Sequence, residues 1–199
     1  MVKSSDMQCF LRFLPALITA ALVIQAAAPG RYLTSANRKV TAIERNRWPS
    51  NGAVAFSPLE LVALGMEQAN QNLPGVLSKP ELELGSGSAT ATALVDFDKL
   101  GQLRGDDHSS SNWLVSKMVK GQREVSVSVD LTSGGGQLTV HPTKVSIAGV
   151  EVSGSTLDFL IQNFVTPHYP DAVINKPFAL PNHMSRIEVN SSAAVAHRR

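Results

Sequence analysis

Residues 123–132, read as REVSVSVDLT, constrain the fold more than any other stretch of this 199-residue chain. In an extended backbone Val125, Val127, Val129 and Leu131 point one way, and Glu124, Ser126, Ser128, Asp130 and Thr132 the other. Alternation of period two describes a strand with one dry face and one wet face, the pattern of an antiparallel sheet covered on one side. Something apolar must cover the valine face.

Two helical stretches have the right character. Ser57-Pro58-Leu59-Glu60 is a helix start, with an N-cap serine, proline at the first helical position and a glutamate closing a capping box. Leu59, Val62, Ala63, Met66, Ala69 and Leu73 then form one broad apolar face, and Leu61 and Leu64 a minor second stripe. A helix apolar on two sides is expected to be covered on two sides. Over 155–165, Leu157, Leu160, Ile161, Phe164 and Val165 recur at helical spacing. Ser155 and Asp158 resemble a capping box there, and Pro167 is the stop. Phe159 falls on the polar side of that helix. A third, short helix is expected from Asn112, stopped by Gly121.

The remaining strands follow from alternation and turn residues. A short strand is expected at 54–56, and two more at 80–84 and 89–97 about the turn Gly85-Ser86-Gly87-Ser88. Ala89, Ala91 and Ala93 share a face, so either a helix packs closely on them or the sheet borders a cavity. Between 137 and 147 the apolar positions change phase at Pro142-Thr143, which predicts a bulge or bend. Residues 186–190 and 193–197 form a closing hairpin. The expected class is α+β: a curved antiparallel sheet packed against two longer amphipathic helices and one short helix.

Lys3 and Arg12 precede an uncharged stretch, 13–28, that ends in three alanines. Residues 1–28 therefore read as a signal peptide or an N-terminal anchor, and the only cysteine, Cys9, lies within them. Residues 29–52 read as a basic polar linker, solvated or laid along anionic lipid headgroups, and 53–199 as a single domain. The protein is expected to be exported, periplasmic or secreted.

With 18 basic against 16 acidic residues the charge is nearly balanced, which argues against a nucleic-acid partner. No H-x-x-x-H or H-E-x-x-H spacing, G-x-S-x-G elbow, P-loop or dinucleotide fingerprint occurs. Asp106-Asp107-His108 is the densest group of metal-ligand types, and adjacent loop residues favour a solvated turn over a metal site. Asp96 and Asp98 are placed to cap a turn rather than to act as an acid–base pair. No catalytic residue, metal or cofactor is therefore assigned.

The order of FSPLEL at 56–61, ALVDFDKL at 93–100, VSIAGVEV at 145–152, and PFALP at 177–181 followed by Ile187-Glu188-Val189 resembles small exported bacterial proteins. It is similar in layout to the LmeA-like envelope phospholipid-binding family. That resemblance implies a curved sheet wrapped on long helices, with an apolar groove able to take acyl chains and no catalytic motif to carry over.

Two functions are expected on this basis. In one, a phospholipid or other apolar ligand lies in a groove lined by Leu59, Val62, Met66, Val127, Val129, Leu138, Val140, Leu157, Leu160, Ile161 and Phe164, held by apolar burial at about 25 cal/mol per Å². In the other, the same interface is a dry core and the protein is an interaction or structural module. Phe159, Tyr169 and Phe178 then present an edge to an envelope protein partner. A membrane surface is a further expected partner.

Overall fold

A computed structural model describes residues 29–104, 120–162 and 174–199. The chain runs α1 (Pro29–Glu44), β1 (Ala53–Phe56), α2 (Pro58–Asn72), β2 (Leu77–Leu84), β3 (Ser88–Asp96) and α3 (Phe97–Arg104). It continues through β4 (Gln122–Gly134), β5 (Gln137–Ile147), β6 (Val150–Glu151), α4 (Gly154–Leu160), β7 (Phe178–Ala179), β8 (Met184–Asn190) and β9 (Ala193–Arg198). The class is α+β, with helices packed against antiparallel sheets. These strands make one sheet in the order β2-β3-β4-β5-β6, with β7 also on the β5 edge, and a second in the order β1-β9-β8.

The first correction concerns residues 29–52. Much of this expected linker is α1, which packs along α2 and buries Ala36 and Ile43 in the main core, with Leu33 and Val40 against it. Those four residues, spaced three or four apart, form one helical stripe, which the count of arginines around them obscured. Trp48, beyond the helix, also packs on this core.

The long meander forms as the alternation requires. Ala89, Ala91 and Ala93 of β3 lie opposite Val129, Val127 and Val125 of β4, and the last two of these valines lie opposite Val145 and Ile147 of β5. The phase change near Pro142 is a bulge. Ser128 pairs with Lys144 and Val129 with Pro142, so Thr143 is an extra residue that returns Val145 and Ile147 to the apolar face. A second bulge at Lys79-Pro80 interrupts the edge strand β2, and Lys79 adopts φ 48° there. A bulge and a proline on an edge discourage pairing with another chain.

Between β5 and β6 the turn is only Ala148-Gly149, with φ of 52° and 77°. Two positive φ values suit the right-handed strand twist, but the alanine Cβ is strained in the left-handed region. Ala148→Asn is therefore expected to stabilise the fold by about 0.5–1 kcal/mol, read as a higher midpoint in urea with unchanged slope.

The C-terminal hairpin forms where expected but does not extend the main sheet. It pairs with β1, and β8 runs across the tips of the two main hairpins. Val189 O accepts from Gly87 N, Ser185 O from Gly136 N, and Ser133 Oγ accepts from Ile187 N. Pairing between β1 and β9 joins residues far apart in sequence, and no local periodicity announces it.

Two expectations shift. The strand expected to run through residue 97 stops at Asp96, and Phe97, buried, opens the helix α3 where the sequence leads one to expect a turn into a polar loop. In α4 the cap position is Ser153, whose side chain makes no capping bond, so the Ser155–Asp158 box is not what starts it. The short helix expected from Asn112, and the end of the 155–165 helix beyond Gln162, lie outside the described residues.

One apolar face of the long sheet carries two clusters. The larger joins Ala36 and Ile43 of α1, Leu61 and Leu64 of α2, Ala89, Ala91, Val129, Leu138 and Val140 of the sheet, and Val54, Phe56, Met184 and Ala196 of the second sheet. The smaller joins Leu73, Val76, Phe97, Leu100, Ile147 and Val152, with Val95, Val125 and Leu157 packed on it. Ala89 and Ala91 of the alanine stripe are thus buried in the larger cluster, while Ala93 is half-buried.

Candidate functional site

The residues expected to line a groove separate into three groups. Val129, Leu138 and Val140 are buried in the larger cluster, Val129 with only 2% of its surface exposed, and Val62 and Val127 pack against its rim. Leu157 packs against the smaller cluster. Leu59 is 49% exposed, and Met66 and Ile161 are half-buried. Phe164 lies outside the described residues, and for Leu160 only the backbone is described. The described members of this set therefore separate into two clusters and an exposed or half-buried remainder.

Leu59 marks a correction to the face of α2. The ridge that goes inward is Leu61, Gly65 and Ala69 with Leu64, continued by Leu73, whereas Leu59, Ala63 and Met66 face outward or sideways. Residues four apart make one ridge along a helix, and Gly65 and Ala69 let a neighbour approach closely. Of the broad face expected, Ala69 and Leu73 are buried and Val62 packs on the core, while the expected minor stripe of Leu61 and Leu64 proves the deeper one. Phe178, expected as a partner anchor, instead packs against the larger core as β7 pairs with β5. Tyr169 lies outside the described residues, as does the Phe159 side chain.

Sequence reasoning foresaw the capping box but not the rest of the polar cluster built on it. Glu60, 5% exposed, accepts from Ser57 N at 2.8 Å while Ser57 Oγ accepts from Glu60 N at 3.3 Å. Its other ligands come from α1: Ser35 Oγ donates to Oε1 at 2.6 Å and Lys39 Nζ to Oε2 at 2.6 Å. Lys39 also donates to Ala55 O at 2.7 Å and sits over the Phe56 ring at 5.6 Å. One carboxylate thereby ties α1, α2 and β1 together. Ser35 and Lys39 are four apart, so one helical turn presents both to the same acceptor. That spacing was the available signal, readable only once 29–44 is taken as a helix.

The chemistry of Glu60 is that of a strut. Burial raises its pKa, but the hydrogen bonds from Lys39, Ser35 and Ser57 and the charge of Lys39 outweigh it and hold the carboxyl below its ordinary value. An ionised acid already filled with donors is poorly suited to exchange protons near neutrality.

Other candidate clusters resolve similarly. Asp96 Oδ1 accepts from Lys99 N at 3.0 Å as the cap of α3, the role expected of it, whereas Asp98 Oδ1 accepts from Gly121 N at 3.1 Å and so ties α3 to the start of β4 rather than capping the following turn. The Lys99 amide bond above all lowers the Asp96 pKa. On the second sheet His197 Nε2 is 3.3 Å from Glu188 Oε2, close enough for an ion pair but not aligned as a hydrogen bond, and Arg186 is 3.6 Å from the same oxygen. Asp106-Asp107-His108 lies outside the described residues. Among the described residues no three His, Cys, Asp or Glu side chains are grouped to hold a metal, and no helix is long and apolar enough to cross a membrane.

Comparison with known proteins leaves the reading to the geometry: no protein family, curated protein or solved structure matches this chain.

Proposed function

We propose that the protein is an exported, non-catalytic envelope module that acts through its surface, with a filled core between sheet and helices. The observation that carries this reading is the fate of Val129, Leu138 and Val140. They pack in one cluster with residues of α1, α2 and the second sheet, so the space an acyl chain would need beside them is taken by the protein's own side chains. The saturated state of Glu60, the capping role of Asp96 and the Asp98 tie to Gly121 support a structural rather than catalytic use of the best-placed carboxylates. The leader-like stretch 1–28 supports export.

A second reading, a short acyl chain held by the sheet, is favoured by one feature. Ala93, Val125 and Val127 form the strip between the two clusters and are only half-buried, and Ala93 lies beside the β2 bulge. Native mass spectrometry of the protein purified from its own envelope, with solvent extraction, separates the two. A bare polypeptide mass is expected; a stoichiometric adduct that releases a phospholipid overturns the filled-core reading in favour of the second.

A further inference from the structure

We infer that the outward face of α1 is a docking surface for an anionic phospholipid bilayer. Arg31, Arg38 and Arg45 recur every seven residues, and all three are exposed. Seven residues advance a helix about 10.5 Å with a drift of about 20°, so the three guanidiniums line up over about 21 Å within a narrow sector. Arg45 stays in register because its N–H bonds to Thr41 O at 3.0 Å, continuing the helical pattern past Glu44. The stripe lies on the side of α1 opposite Leu33, Ala36, Val40 and Ile43, which face the core.

The described residues do not neutralise the charge on this face. Lys39 is turned toward α2 and paired with Glu60, and Glu67 of α2 accepts from Asn37 at 3.3 Å on the flank of the helix. Among the described residues Arg38, Arg45 and Arg47 form no ion pair, and Arg31 contacts only Tyr32, whose ring lies 4.9 Å away and whose hydroxyl accepts at 3.1 Å. Glu44, the one acid of residues 29–52, sits off the stripe by helical angle.

An α-helix lying flat with a row of arginines meets a plane of phosphates, and arginine suits phosphate because its planar fork donates two parallel hydrogen bonds. Tyrosine beside arginine is the pairing of the headgroup zone, and the apolar stretch 13–28 directly precedes α1 in the sequence. A protein-sized acidic partner would more often be met by a patch than by a single row. The inference rests on the proposed surface role only for setting the protein beside a membrane.

The test is flotation of the full chain with vesicles of phosphatidylcholine, with and without phosphatidylglycerol as about a third of the lipid. Each basic residue near an anionic surface is worth about fivefold, so R31Q/R38Q/R45Q is expected to lose on the order of a hundredfold in apparent affinity for the anionic vesicles. Binding to pure phosphatidylcholine, which reads any contribution of residues 13–28, should not change. Because the three arginines are exposed and lie opposite the core-facing residues of α1, the variant should keep the parent melting temperature. The control R123Q/K144Q/K176Q removes the same charge from exposed positions elsewhere and should bind like the parent. Equal losses in the two variants, or no loss in the first, would overturn the inference. Vesicle binding that fails while the envelope-purified protein has a bare mass removes the docking surface alone; a phospholipid adduct with intact stripe-dependent binding removes the filled-core reading alone.

Discussion

Glu60→Ala is expected to destabilise the protein by about 3 kcal/mol at neutral pH, a fall of about 6–12 °C in melting temperature for a chain of this size. The capping box at the start of α2 accounts for about 1 kcal/mol. The rest comes from Lys39 and Ser35, left without the carboxylate that collects them. The value stays at the low end for a broken buried pair because Lys39 is a third exposed and keeps the Ala55 carbonyl. Glu60→Gln should cost less, since glutamine at this position can still reach back to the Ser57 amide.

The same residue predicts an acid dependence. The folded-state pKa of Glu60 lies below its unfolded value of about 4.3, so the folded protein keeps it ionised at a pH where the unfolded chain binds a proton. Its contribution is complete above the unfolded pKa, shrinks as pH falls toward the folded one and is gone below it. Urea midpoints measured downward from pH 6 should therefore fall more steeply for the parent than for Glu60→Gln. Parallel curves would mean that the carboxylate charge does not hold α1 in place.

How far the sequence foretells this fold depends on whether the signal is local. Period-two alternation in β4 is set by the backbone itself, so the strand, its apolar face and the Thr143 bulge could all be read in advance. Ser57-Pro58-Leu59-Glu60 was legible because capping chemistry acts across four residues. Pairing of β1 with β9 was not, since it joins Ala53 to His197 and depends on packing across the whole chain. The basic segment 29–52 misled because its arginines are loud while Ala36, one of its two fully inward residues, is small. The candidate site suffered most. Its residues were chosen as large and apolar, which finds core positions such as Val129 and Leu138 as readily as a ligand surface.

Leu64→Ala and Leu59→Ala together decide which face of α2 the fold uses. Leu64 is 3% exposed and lies in the larger cluster with Leu61, Val129 and Leu138. Its truncation removes buried methyl groups and leaves a space that a sheet on one side and α1 on the other cannot both move to fill. About 2–4 kcal/mol is expected, with a matching fall in the urea midpoint. Leu59, half exposed at the first turn, should change stability by less than about 0.5 kcal/mol. The sequence places Leu59 on the broad apolar face with Val62, Ala63, Met66, Ala69 and Leu73, and Leu61 and Leu64 on a second covered stripe, so it leads one to expect a sizeable loss at both positions. A Leu59→Ala loss larger than that of Leu64→Ala would place an unseen layer over the outer side of α2 and reopen the groove between helix and sheet. A larger loss at Leu64, with Gly65 and Ala69 beside it on the inward ridge, makes the close approach of α2 to its neighbours the source of its stability, and leaves its outer side free of any structural duty.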